Sequence, residues 1–290
     1  MISKAYKYLL LLLAGSFLFT ACEEEISLDL KSDNPRLVVD GFITTDTMAH
    51  RVRLTTSGGY FDNKPMAGVS GAVVSLSDGV ETIILAESDT SPGDYFTPDD
   101  YYGKQNHLYK LAITNVAVGN KGRDEVYTAE SFLNPIVKMD SITVDYLKIW
   151  KMWRVLMYGR DPKNEKNHYW FRLKINDWWY STEYRFTSYA DDTYFDGNYA
   201  EGVWLFGLNA EEEVDLKPGD RLMMECWMVD EPFYNFINGA YQETEYKSPI
   251  FSGPPANVPG NISNGALGIF AACSIHRLYT DNTKSREDFD

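Results

Sequence analysis

From Arg36 onward, apolar and polar positions alternate with a period of two over much of the chain, the pattern of strands with one buried face. Leu37, Val39 and Ile43 fall opposite Val38, Asp40 and Phe42, and Val52 and Leu54 fall opposite Arg51 and Arg53. The run Gly71-Ala72-Val73-Val74-Ser75-Leu76 leads through Asp78-Gly79 into Ile83-Ile84-Leu85. An Asp-Gly pair between apolar runs is a hairpin signal, because the turn needs residues that tolerate positive φ. Tyr109, Leu111 and Ile113 continue the alternation, and Gly, Pro, Asp and Asn punctuate it. No helical period appears between Arg36 and Phe132. Some seven strands in about 95 residues predict a small immunoglobulin-like or transthyretin-like sandwich over residues 35–134.

Pro135 opens a stretch of different composition. Ile142 to Met157 is long, apolar and aromatic, and ends at the turn signal Asp161-Pro162-Lys163-Asn164. Tyr169, Phe171, Leu173 and Ile175 then share one face of a strand, with Trp170, Arg172 and Lys174 on the other. Lys217-Pro218-Gly219-Asp220 turns the chain into a strand over Leu222–Val229. Glu231 to Tyr241 is the helix candidate, with Asp230 as N-cap and Pro232 in the first turn. Residues 248–265, rich in Pro, Gly, Asn and Ser, predict a long ordered loop before a final apolar strand, Ala266–Ile275. Residues 135–290 thus read as a second, aromatic-rich β domain with one short helix, and the fold class is mainly β.

The N-terminus follows a different logic. Lys4 and Lys7 precede an apolar stretch, Leu9 to Leu18, that is too short to span a bilayer but suits a secretory signal. It ends at Phe19-Thr20-Ala21-Cys22, which resembles the lipobox of bacterial lipoproteins with Phe19 in place of the usual leucine. This implies cleavage after residue 21 and lipid, a palmitate-bearing anchor, on Cys22. An ordinary signal peptide with an incidental cysteine is the competing reading. Glu23, Glu24 and Glu25 resemble the export signal of surface lipoproteins, and a flexible solvated tether over residues 22–34 is the plainer alternative, reaching roughly 20 Å from the membrane.

The 290 residues carry 27 Lys and Arg against 42 Asp and Glu, a formal charge of −15; loss of Lys4 and Lys7 with a signal would take it to −17. That field repels a polyanion, so nucleic acid is not an expected partner. Hydrophobic residues at 44% provide ample material for packed cores. Beyond Cys22 only Cys226 and Cys273 remain, both in apolar strand-like contexts, where a buried thiol and a disulfide are both open.

Cys22-Glu23-Glu24-Glu25-Ile26-Ser27-Leu28-Asp29-Leu30 followed by Asn34-Pro35-Arg36-Leu37-Val38-Val39-Asp40-Gly41-Phe42-Ile43-Thr44 resembles the start of a Bacteroidota lipoprotein family, domain of unknown function 4249. Asp161-Pro162 before His168-Tyr169-Trp170-Phe171-Arg172, then Asp191-Asp192 with Phe195-Asp196-Gly197, extend the resemblance. So do Phe251-Ser252-Gly253 and Gly260-Asn261-Ile262 through Gly265, and together these cover nearly the whole mature chain. The resemblance implies an outer-membrane lipoprotein produced alongside TonB-dependent transporters, with no catalytic residues to carry over.

Motifs that carry catalysis are absent: no GxSxG, HExxH, P-loop or GxGxxG occurs. His50, His107, His168 and His276 lie far apart without ligand spacing, so no metal or other cofactor is expected from them. Asp191, Asp192 and Asp196 beside Gly197 are a weak calcium candidate, since a hard cation needs converging oxygens; a solvated turn is the plainer reading. All seven tryptophans lie between Trp150 and Trp227. Trp178 and Trp179 are adjacent, so in a strand they face opposite ways. Trp170, Trp178 and Trp179 are therefore candidates for a partner or ligand surface, with packing under a loop as the alternative. The expected role is a non-catalytic binding or accessory subunit of a TonB-dependent transporter or other outer-membrane protein. A surface hydrolase acting on glycans or peptides and a structural component of an envelope assembly are the alternatives.

Overall fold

The computed structural model describes residues 34–58, 65–244 and 257–289. The lipidation candidate Cys22 and the export candidates Glu23, Glu24 and Glu25 lie outside these residues. The alternation at the start of the sandwich region becomes β1 (Leu37–Thr44) and β2 (Arg51–Thr56), with Val39, Ile43, Val52 and Leu54 fully buried. Six further strands follow before Pro135: β3 (Val73–Ser77), β4 (Thr82–Ile84), β5 (Ala86–Glu87), β6 (Asp94–Phe96), β7 (His107–Thr114) and β8 (Tyr127–Leu133). The apolar run after Ile142 is two strands. β9 (Met139–Leu147) and β10 (Met152–Arg160) are joined by a 3-10 turn at Lys148–Trp150 that closes on Lys151 at φ 51°. β11 (His168–Ile175), β12 (Trp178–Trp179), β13 (Ser188–Asp191), β14 (Tyr199–Asn209), β15 (Arg221–Val229), helix α1 (Glu231–Thr244) and β16 (Leu267–Asp281) complete the order.

Asp230 caps α1 as its sequence position predicts. Its Oδ1 accepts from the Phe233 amide at 3.0 Å, while Oδ2 accepts from the Ser131 hydroxyl at 2.6 Å. Ser131 Oγ in turn accepts from the Ala272 amide at 2.8 Å, so one cap ties the helix to β8 and β16. Thr244, three residues beyond the expected end, is the last residue of α1. Among the described residues α1 is the single α-helix, and no helix is long and apolar enough to cross a membrane.

One long sheet organises the fold, in the order β12-β11-β15-β16-β1-β2-β6-β5, with β13 also paired to β11. Its centre is the parallel pairing of β1 with β16, from Val38 opposite Leu267 to Thr44 opposite Cys273. Strands from both sides of Pro135 therefore share one sheet, and the described residues from Asn34 onward form one compact unit. The compositional step at Pro135 marks a change of covering layer. Sheet β4-β3-β7-β8 packs on one half through Leu76, Leu111 and Ile113 against Val39, Leu54 and Phe270. Sheet β14-β10-β9 packs on the other half through Val155, Met157 and Phe206 against Tyr169, Phe171 and Cys226. These are two sandwiches with a common middle sheet.

The opposite face of that sheet carries α1. Phe233 and Ile237 pack on Trp170, Trp227, Ile269, Ala271, Cys273 and Ile275. The two remaining cysteines thus point to different cores, Cys226 beneath β14-β10-β9 and Cys273 beneath α1. A disulfide between them is ruled out by the pleat. Both are free and buried, and burial pushes both thiols far up, which makes them inert packing residues.

Candidate functional site

Helix α1 covers only part of its face of the sheet, and the remainder forms a cleft. Sheet register builds its floor. Trp170 on β11 lies opposite Trp227 on β15, which lies opposite Ile275 on β16. Two residues along each strand, on the same face, Arg172 lies opposite Glu225, and Glu225 opposite Arg277. β1 adds Asp40, Phe42 and Thr44, and the segment from Ser181 to Tyr184 adds a wall, enclosing about 710 Å³. That volume lies within the range of small-molecule sites, roughly 300–1,000 Å³.

Charge pairing in the floor is uneven. Glu225, 3% exposed, accepts from Trp227 Nε1 at 2.9 Å and from Arg277 Nε at 3.0 Å, while the nearest Arg172 nitrogen stands 3.6 Å away. The Arg277 fork also holds Asp46 through two bonds of 2.8 and 2.5 Å. Hydrogen bonding to Arg277 keeps the Asp46 carboxyl below its ordinary range, and the same bonds push Arg277 up. Arg172 has a different setting. Its guanidinium sits 4.2 Å from the Trp179 ring centre, 5.4 Å from Trp170 and 5.7 Å from Trp227. Burial lowers its pKa, opposed by Glu225. Among the described residues its guanidinium donates no hydrogen bond.

Two residues that line the cleft each hold a buried polar atom without a hydrogen-bond partner. Trp170 Nε1 and His50 Nδ1 are buried with no hydrogen bond; the third such atom among the described residues is Asp94 Oδ1, 3.6 Å from Arg53. His50 Nε2 is paired with Thr44 Oγ1 at 3.0 Å, and burial lowers the pKa of the ring, favouring its neutral form. Unpaired buried polar atoms are uncommon in native folds, so two on one cleft call for an explanation.

The three tryptophans expected to form a surface are separated. Trp170 and Trp179 line the cleft; Trp170 is 7% exposed because Phe233 and Trp227 pack edge-on against it at 5.4 and 5.2 Å. Trp178, 46% exposed, is outside the lining residues and packs against Tyr180. The residues missed from sequence are Arg172 as a site residue, Glu225, Arg277, Asp46, His50 and Trp227. A charge inside an otherwise apolar strand, as at Glu225 and Arg277, was the available signal. Elsewhere Trp150 and Trp204 stack at 5.6 Å as an exposed pair on the β14-β10-β9 sheet.

The acidic turn assembles differently from the expected set. Asp161, Asp192 and Asp196 each bring an oxygen within 4.8 Å of the others. Asp191 is directed elsewhere, accepting from the Thr193 amide at 3.0 Å and the Tyr234 hydroxyl at 3.2 Å. Adjacent residues at the end of a strand point apart, so Asp191 and Asp192 do not serve one centre. Asp161 accepts from the Tyr169 hydroxyl, Asp192 from the Asn167 amide at 2.7 Å, and Asp196 from the Asn164 amide at 2.6 Å. Burial raises the Asp161 pKa against its bond from Tyr169, with the charges of Asp192 and Asp196 adding to the rise. Three carboxylates supply part of the roughly six to eight oxygens that calcium takes.

The fold and cleft define a mainly β, sandwich-like protein with, among the described residues, one α-helix and a built cavity on the helix face. The family described as Domain of unknown function (DUF4249) matches residues 23–278, and the chain belongs to that family. No curated protein matches the chain.

Proposed function

We infer that the protein is a non-catalytic binding protein that holds a ligand in the Trp-Arg cleft. In this reading it is lipid-anchored through Cys22 at the outer face of the outer membrane and works beside a TonB-dependent transporter or another outer-membrane partner. The observation that carries the binding role is the Arg172 guanidinium, without a hydrogen bond among the described residues, on a cleft with aromatic walls whose lining residues Trp170 and His50 each hold a buried nitrogen. A ligand with acceptor oxygens satisfies the Arg172 donors. Binding is favoured over hydrolysis because Asp46 and Glu225 are both committed to Arg277, and Asp46 is held in its ionised form, unsuited to donating a proton. The anchor rests on the small-residue lipobox before Cys22, and the surface address on Glu23, Glu24 and Glu25.

Fractionation of native cells tests this reading as a whole. Tagged wild-type protein is expected in outer membranes, with a barrel protein copurifying in mild detergent. Cys22→Ala is expected to release the chain from the membrane fraction. Wild type that remains soluble, or Cys22→Ala that still incorporates labelled palmitate, contradicts the anchored-subunit reading.

A further inference from the structure

We propose that the cleft takes a ligand bearing a single carboxylate on a flat or apolar body, and that Arg172 recognises that carboxylate. The proposal rests on the reading of the cleft as a binding site and names its ligand class. Arg172 carries five N–H donors in a planar fork. The guanidinium lies over the Trp179 ring at 4.2 Å and donates no hydrogen bond among the described residues, so its N–H groups are uncommitted. The nearest counter-charge, Glu225, is 3.6 Å from Arg172 but 2.8 Å from Arg277, so Arg277 takes most of that carboxylate. The Arg172 charge is left under-compensated on a side chain only 25% exposed. A ligand carboxylate is planar, accepts two parallel bonds from such a fork, and is attracted more strongly there than in open water. Trp170, which lines the cleft, holds an unpaired buried N–H behind the ring face.

Other ligand charges fit less well. A cationic ligand would compete for ring faces that Arg172 already occupies. A dianion such as phosphate meets the field of a chain with formal charge −15, and Asp40 and Glu183 lie among the cleft residues. A monoanion suffers that repulsion once. A uronic acid residue and the free C-terminus of a peptide both present this group, and both bring a body that packs on Phe42 and Tyr184.

Calorimetry and tryptophan fluorescence on the detergent-solubilised full chain separate the cases. The probes are monomeric galacturonate against its methyl ester, and N-acetyl-trialanine against its C-terminal amide. One of the two acids is expected to bind at least tenfold more tightly than its neutral partner, and which acid does so identifies the source. Arg172→Gln is expected to lower that affinity at least tenfold, with Arg172→Lys recovering only part, since an ammonium lacks the fork. The acid-against-neutral comparison needs no variant, so it stands even if Arg172→Gln folds poorly. Ester or amide binding as tightly as the acid, with Arg172→Gln unchanged, overturns the carboxylate and leaves the cleft a binding site. No response to any of the four probes contradicts both.

Discussion

Gly268→Ala is expected to cost more than about 4 kcal/mol, enough to prevent recovery of folded protein. Gly268 sits at φ 93°, and a Cβ there would stand 1.9 Å from the Val39 carbonyl oxygen. Val39 is its pairing partner in the parallel β1–β16 ladder, the seam that joins the two sandwiches. Relief of the clash therefore requires opening that seam, which also carries Phe42 and Ile275 of the cleft. Gly219→Ala separates the two causes. Gly219 has φ 96° but nothing within 4 Å of a built Cβ, so only backbone strain of about 1 kcal/mol applies. Urea unfolding of both variants checks this. Equal losses would mean that the close approach of β1 and β16 is not as described.

Glu225→Ala is the second large effect, an expected loss of about 3–5 kcal/mol. Removal of this buried carboxylate leaves Arg172 with no counter-charge within reach and leaves Trp227 Nε1 without an acceptor. Arg277 keeps Asp46, so the damage is centred on Arg172 and Trp227. Asp46→Ala is the milder comparison, near 1 kcal/mol, because that pair is about one-third exposed, with side chains at 32% and 31%. Glu225→Gln keeps an acceptor for Trp227 and falls between the two. Chemical denaturation of the three variants gives the order, and a Glu225→Ala protein within about 1 kcal/mol of wild type would remove the charge row from the account.

Periodicity in the sequence reaches the faces of strands but not their neighbours. The alternation in β11 places Trp170 and Arg172 on the side away from Tyr169 and Phe171, and the structure agrees. The row formed by Arg172, Glu225 and Arg277 needs the register of three strands separated by some fifty residues each, which no local pattern encodes. The same holds for the parallel β1–β16 pairing, which draws strands from both sides of Pro135 into one sheet. Helix α1 was readable because its signals are local: Asp230 as cap and Pro232 in the first turn. The acidic turn shows both sides of this. Asp192 and Asp196 are neighbours by turn geometry, whereas Asp161 joins them through the fold and Asp191 turns away with the pleat. Trp178 and Trp179 do face apart, as adjacent strand residues must, which puts one in the cleft and one outside it.

Recognition in the cleft and recognition on the exposed tryptophan pair of the neighbouring sheet leave different marks on the indole groups. Seven tryptophans give seven indole N–H resonances in a nitrogen-15 correlation spectrum, and five of them report on one place or the other. Trp170, Trp179 and Trp227 belong to the cleft, and Trp150 and Trp204 to the exposed pair. Titration of the labelled protein with galacturonate and with N-acetyl-trialanine is expected to shift the resonances of Trp170, Trp179 and Trp227. Trp150 and Trp204 are expected to stay in place. Shifts confined to Trp150 and Trp204, with the three cleft indoles unmoved at saturation, would contradict the account.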